Sequence, residues 1–529
     1  MMPLSPALLG ISRWFPVYTA AMHRMTRVGI AAVLVVSAGL ALSCSNTTRP
    51  DADHPLTRMR NPGLSKNNRV EALDEAWKLG EPGTPDRQMT RDAMKDLVWS
   101  AATPMELRLK IMGKMLDSTD PAEAKDARDM AKLMLPRERS RTMVTLISDV
   151  AGARGWEDFI PALVRSYSRQ VPEVKDDLRS ERVALDRLAN GVAVEQLVFD
   201  VFVKPPPAEE TYGVNWQERM RTDAWDLLGR LDADGSMRVK LVSDLGAKGP
   251  TDDAVLTCLQ NCFNDLRAIP LTGEELKWAL SLKNPKKPDN APWWTKATAA
   301  IAQTNFETTG PLVLRHAEPI RWAAEHQSSW LSLSRAELKS ELLTRLENRA
   351  KNTRSNETPN VGRPYQEQVN AWDDKLRWGD FLTILVLDEA LKESTLPAQM
   401  LRHAELDRRD TTTEYGGILR VADISEAPAQ FAAVLFPPRP AQRTGDTQFI
   451  ASDDMLAASD RTLAHYHFHA QAPSNRIFAG PSLADLQYAK RMGRSCLVFT
   501  SVKEGSLGID YYQPNGAVVD LGEMNGVLK

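Results

Sequence analysis

Three of the chain's eight histidines fall in one pentapeptide, His465-Tyr466-His467-Phe468-His469. Residues two apart on a β-strand share a face, so either His465 with His467 or His467 with His469 can present two imidazoles to one ion. Zinc (Zn2+) suits that arrangement. A catalytic zinc takes three protein ligands and keeps a fourth position for water, whose pKa falls toward about 7. A carboxylate must then complete the set, and Asp485 arrives across a loop in Gly480-Pro481-Ser482-Leu483-Ala484-Asp485. Moving protons between water and a leaving group needs a further acid that is not consumed as a ligand. Glu414, in Thr413-Glu414-Tyr415-Gly416-Gly417-Ile418-Leu419, stands at the start of a strand and fits that part.

The elements that must position these residues are strand-like. After about Asp410, Gly416–Val421, Phe431–Phe436, Ala464–His469, Cys496–Val502, Leu507–Tyr512 and Ala517–Leu521 are short apolar or β-branched runs bounded by Gly, Pro and Asn. A helical pattern, Ser482–Met492, lies among them. That is an α/β or α+β domain large enough for its own core. Ser482-x-x-Asp485 is also a sound helix start, with Ser as N-cap and an acid in the first turn.

Glu-x-Gly-Gly-x-Leu, then His-x-His on a strand, then Pro-Ser-x-x-Asp opening a helix, resembles the JAB/MPN domain of JAMM metalloproteases. The resemblance covers about a quarter of the chain, Leu396 to Lys529. It implies that His467, His469 and Asp485 hold zinc, with His465 as an alternative ligand, that Glu414 is the general acid/base, and that Ser482 helps to stabilise an oxyanion. The implied reaction is hydrolysis of an amide or isopeptide bond in a peptide or protein substrate. Ser482 follows His469 by 13 positions, five more than is usual in the family, and Ala470 stands where Pro is common. Loop closure entropy grows slowly with length, so such an insertion is tolerated.

From about Asp92 to Leu346 the apolar spacing is helical, as in Met143, Leu146, Ile147 and Val150 or Ala224, Leu227, Leu228 and Leu231. Thr103-Pro104-Met105-Glu106 reads as N-cap, Pro at the first helical position and a capping-box Glu. Many helices joined by short turns suggest stacked antiparallel pairs, an α-solenoid resembling HEAT-like repeats. Cys258 and Cys262 share a face with Val255 and Leu259 and read as core. Trp293-Trp294 reads as packing, Asp232-Ala233-Asp234-Gly235 as a helix-ending turn, and His403 as a helix-surface residue.

Upstream, Arg24 and Arg27 precede the apolar run Val28–Leu42, and the run ends at Ser43-Cys44. This resembles an export signal closed by a bacterial lipoprotein box with Cys44 as the lipidated residue. The expected organisation is multidomain: signal 1–44, flexible tether 45–66, all-α HEAT-like body 67–350, linker and connecting helix 351–395, and an α/β JAB/MPN-like domain 396–529. The lipid would anchor the protein to the membrane of the bacterial cell envelope, facing the periplasm or the outside.

With 66 basic and 69 acidic residues the net charge is -3, so no global field gathers nucleic acid. Four cysteines in 529 residues make no disulfide framework. The rival expectation is a non-catalytic MPN-like binding module on an α-solenoid scaffold whose helical body holds a protein partner.

Overall fold

The computed structural model describes residues 53–171, 174–207, 216–247, 249, 251–349, 366–422 and 429–525. Cys44, the apolar run before it and residues 351–365 of the expected linker lie outside them. Among the described residues no helix is long and apolar enough to cross a membrane. The described residues form two compact units, divided between Met130 and Ala131.

The first unit is helical. Pro55–Arg60 already forms a helix with Leu56 and Met59 buried, within the stretch whose composition suggested a tether. The arginines here are structural: Arg69 Nε donates to the Met59 carbonyl at 2.9 Å, and the Arg91 guanidinium lies 3.7 Å from the centre of the Trp77 ring. The helix expected to begin at Pro104 runs Met105–Leu116, with Pro104 itself as N-cap and no side-chain cap bond. Thr103 is buried instead.

The second unit begins with helices and ends in a six-stranded mixed sheet of order β3-β2-β5-β6-β7-β8. These strands are β2 Gly416–Val421, β3 Phe431–Leu435, β5 Thr462–His469, β6 Cys496–Lys503, β7 Ser506–Tyr512 and β8 Val518–Asn525. Within this sheet only the β5–β6 pair is parallel, and the helix Leu483–Met492 is the crossover between them. Two short strands, β1 Thr413–Glu414 and β4 Gly445–Phe449, form a separate parallel pair.

The expected division at 351–395 falls inside this packed unit. The helix Trp378–Leu391 is buried at nearly every position. One apolar core runs from Cys258 through Trp294 and Phe381 to Phe468, Tyr511 and Met524. Polar contacts tie the same halves together. Trp278 Nε1 donates to the Asp460 carbonyl at 2.8 Å, and Lys287 Nζ and Asn290 Nδ2 reach Asp460 Oδ2 at 2.7 and 2.9 Å. A second, smaller core of Ile418, Phe449, Tyr488, Val498 and Tyr512 lies on the opposite face of the sheet. The three histidines of β5 face this second core.

Candidate metal centre

Strand β5 is buried along its whole length, and its side chains alternate as a period of two requires. Tyr466 and Phe468 join the large core, while His465, His467 and His469 line the other face. Burying an imidazole without a partner costs about 1–3 kcal/mol, so each ring nitrogen needs an account.

His465 lies deepest. Its Nδ1 meets the Tyr488 hydroxyl at 2.7 Å, its Nε2 has no partner among the described residues, and burial holds its pKa well below the usual histidine value. It does not join the other two, so the His465–His467 pairing is not the one the fold assembles.

His467 and His469 converge. Their Nε2 atoms are 3.3 Å apart. The outward nitrogens are held: His469 Nδ1 is 2.8 Å from the Phe478 carbonyl, and His467 Nδ1 is 3.4 Å from the Tyr512 hydroxyl. A carbonyl only accepts, so His469 carries its proton on Nδ1 and, when neutral, turns a lone pair inward. Phe449 covers His467, with ring centres 5.0 Å apart and 16° between the planes.

The glycines of the Glu-x-Gly-Gly motif explain that cover. A Cβ on Gly416 would sit 2.2 Å from the Phe449 ring, and one on Gly417 would sit 2.0 Å from the Val434 carbonyl oxygen. Only a residue without a side chain lets β2 pass this close.

Asp485 reaches the pair from the first turn of the helix Leu483–Met492. Its Oδ1 is 3.3 Å from His467 Nε2 and its Oδ2 is 3.6 Å from His469 Nε2. The capping box is fully formed: Ser482 Oγ accepts from the Asp485 amide at 3.2 Å, and Asp485 Oδ2 accepts from the Ser482 amide at 2.7 Å. Cap and site thus share residues, since the cap aims the carboxylate at the histidines.

Glu414 supplies a second carboxylate. One oxygen of its carboxylate and one nitrogen from each of His467 and His469 lie within 4.8 Å of one another, and all three residues are buried. Burial raises the Glu414 pKa, partly opposed by the two histidines. Asp485 is shifted the other way: burial raises its pKa, but His467 and His469 outweigh burial and hold it well below the carboxylate range. For His469, burial disfavours the charged form and Asp485 more than restores it, so its pKa is raised. The site therefore favours positive charge at the point where the imidazoles meet.

That charge fits a metal as well as a proton. Bonds of about 2.0–2.1 Å in a tetrahedron place ligand atoms about 3.3 Å apart, and His467 Nε2 lies 3.3 Å from both His469 Nε2 and Asp485 Oδ1. No arginine or lysine pairs with Asp485 among the described residues.

Sequence reasoning missed the outer groups. The Phe478 carbonyl and the side chains of Gln471 and Asn475 all come from the long loop after His469. Tyr512 comes from β7, two strands away. Backbone carbonyls and distant strands leave no sequence signal, although two amides close behind a histidine pair were legible as polar groups near a site. Other readings also changed: His403 is half-buried, with Nδ1 3.1 Å from the Tyr466 hydroxyl, rather than on an open surface. Cys258, Cys262, Trp293 and Trp294 are buried, in accord with their reading as core. Cys496 is buried too. Compared with protein-family models, curated proteins and solved structures, the chain has no match.

Proposed function

We propose that the C-terminal part of the chain is a zinc-dependent, JAMM-like peptidase or isopeptidase that hydrolyses an amide bond. The single observation behind this reading is the approach of the His467 and His469 Nε2 atoms to 3.3 Å, opposite the Asp485 carboxylate. His467, His469 and Asp485 would hold the ion. When bound, zinc supplies a Lewis acid that lowers the pKa of water and polarises a carbonyl.

The remaining work belongs to the chain itself. Glu414, buried and with a raised pKa, takes a proton from the attacking water. The water oxygen bonds to the carbonyl carbon, the C–N bond breaks, and Glu414 returns the proton to the departing amine. Ser482 uses a lone pair of Oγ in the cap and keeps its hydroxyl hydrogen to donate to a developing oxyanion. Export and lipidation at Cys44 belong to the same proposal and rest on the sequence of residues 24–44.

The test is metal content together with chemistry. Purified protein should carry about one zinc and release new amines from envelope peptides, and a chelator should stop that release. Glu414→Gln should keep the zinc and lose hydrolysis by about 10²-fold or more. Loss of zinc in that variant would make Glu414 a ligand instead.

One observation favours the binding-module reading: Glu414, His467, His469 and Asp485 are 0–7 % exposed, which leaves a substrate little access. On that reading Glu414→Gln is silent.

A further inference from the structure

The loop from Ala470 to Pro481, five residues longer than the family spacing, contains two amide side chains that face the site. Asn475 Nδ2 is 3.2 Å from the His469 carbonyl and 2.7 Å from Gln471 Oε1. Gln471 Nε2 is 3.2 Å from both the Asp446 carbonyl and Glu414 Oε1. The Asn475 amide is itself anchored, with its backbone N–H donating to the Ser501 carbonyl at 2.5 Å. Asn475 is buried and Gln471 half-buried.

Which end of each amide is NH2 follows from chemistry. A backbone carbonyl can only accept, so the Asn475 atom at His469 and the Gln471 atom at Asp446 are both NH2 groups. Asn475 then donates to Gln471 Oε1, and Gln471 has only donors left to offer Glu414. Two carbonyls at the ends of the relay thus fix its direction from end to end.

Resting on the zinc-hydrolase reading, we infer that Gln471, held by Asn475, is a positioning residue that differentiates the two oxygens of Glu414. Oε1 is tied down as an acceptor, and Oε2 is the oxygen that exchanges the proton with water and amine. A donor fixed on one oxygen stops the carboxylate from rotating, and a fixed carboxylate is what proton transfer over hydrogen-bond distance requires. Asn475 spans from the His469 carbonyl at the end of β5 to Gln471.

The experiment compares Gln471→Leu and Asn475→Asp with the unmodified full-length protein, following zinc content, kcat and KM on an amine-releasing peptide, and the side-chain 15N–1H signal of Gln471. Gln471→Leu should keep about one zinc and an unchanged KM while kcat falls about 10–100-fold. Asn475→Asp, which touches neither zinc nor Glu414, should lower kcat about 10-fold, because its carboxylate cannot donate to Gln471 Oε1. The Gln471 amide protons should exchange slowly in the unmodified protein, shift in Glu414→Gln, and exchange freely in Asn475→Asp.

An unchanged kcat in Gln471→Leu overturns the inference, as does fast exchange of the Gln471 amide in the unmodified protein. If Gln471→Leu does not fold, Asn475→Asp and the amide signal decide. Absence of hydrolysis by an unmodified protein whose Gln471 amide is held would remove the enzyme reading while leaving the relay in place.

Discussion

Two buried histidine–aspartate contacts in the same unit behave in opposite ways. At the junction of helices and sheet, Asp380 Oδ1 is 2.8 Å from His316 Nε2 and 2.6 Å from Arg315 Nη2, and Oδ2 accepts the Arg377 amide at 2.8 Å. His316 Nδ1 accepts from the Val313 amide, so Nε2 carries the hydrogen and donates to Asp380. Arg315 Nη2, His316 Nε2 and the Arg377 amide thus all converge on the Asp380 carboxylate, while Arg315 Nε has no partner among the described residues. At the other contact His469 spends its hydrogen outward on Phe478, and Asp485 faces inward-turned nitrogens with no guanidinium beside it. The first carboxylate is paired with a guanidinium from the chain itself. The second is short of one positive charge.

That difference can be broken most sharply at Asp485. Asp485→Ala should reduce zinc from about one per chain to none, a loss on the order of 10 kcal/mol of binding free energy. The folding cost of the same change should be only that of a helix cap, about 1 kcal/mol. Elemental analysis and urea unfolding in chelator separate the two effects. A variant that still bound zinc would show that Asp485 is not a ligand.

The matching change at Asp380 should do the reverse. Removing a carboxylate buried against Arg315 leaves an uncompensated charge, so Asp380→Ala should cost about 3–5 kcal/mol of stability. Zinc content should not change. If urea unfolding moved by less than 1 kcal/mol, the ion pair would not be holding the junction of helices and sheet.

The two clusters also differ in how legible they were. The period of two in β5, the acid in the next helix and the glycine pair were readable because each is local: alternation puts the histidines on one face, and a cap puts Asp485 in a first turn. His316 and Asp380 left no such mark, being 64 residues apart and joined only by packing. The helix Trp378–Leu391 read as a connector because a continuous apolar run looks alike in a linker helix and a core helix. Strand β4 was missed for a similar reason, since only Phe449 in Gly445–Phe449 is strongly apolar and its partner β1 is two residues long. In the sequence only nearness to the loop favours His469 over His465, whereas in the fold the Tyr488 hydroxyl meets His465 Nδ1 at 2.7 Å.

The closed cluster predicts an acid sensitivity. Burial lowers the His316 pKa to about 4, against Asp380, which favours the charged form. The unfolded chain binds that proton below about pH 6.5 and the folded chain only below about 4. His316 therefore contributes stability that is fully present above pH 6.5 and is lost as the pH falls toward 4, about 3 kcal/mol in all. His403, also lowered to about 4 by burial, acts in the same direction. In chelator, His316→Gln should remove about one proton from the pH dependence of unfolding over this window, and an unchanged slope would contradict the neutral histidine.

The smallest effect separates two jobs of one serine. Ser482→Ala removes the acceptor for the Asp485 amide and should cost about 1 kcal/mol, measured by thermal unfolding without metal. It should not release zinc, because the Ser482 backbone amide that holds Asp485 Oδ2 at 2.7 Å survives the change. Asp485 then stays aimed at the histidines even with half of its capping box gone. A fall in kcat beyond about 10-fold at unchanged zinc would assign the hydroxyl hydrogen to the oxyanion, since a lost cap alone has no reason to change the chemical step. If zinc and stability fell together, the cap itself would be what keeps the second cluster open.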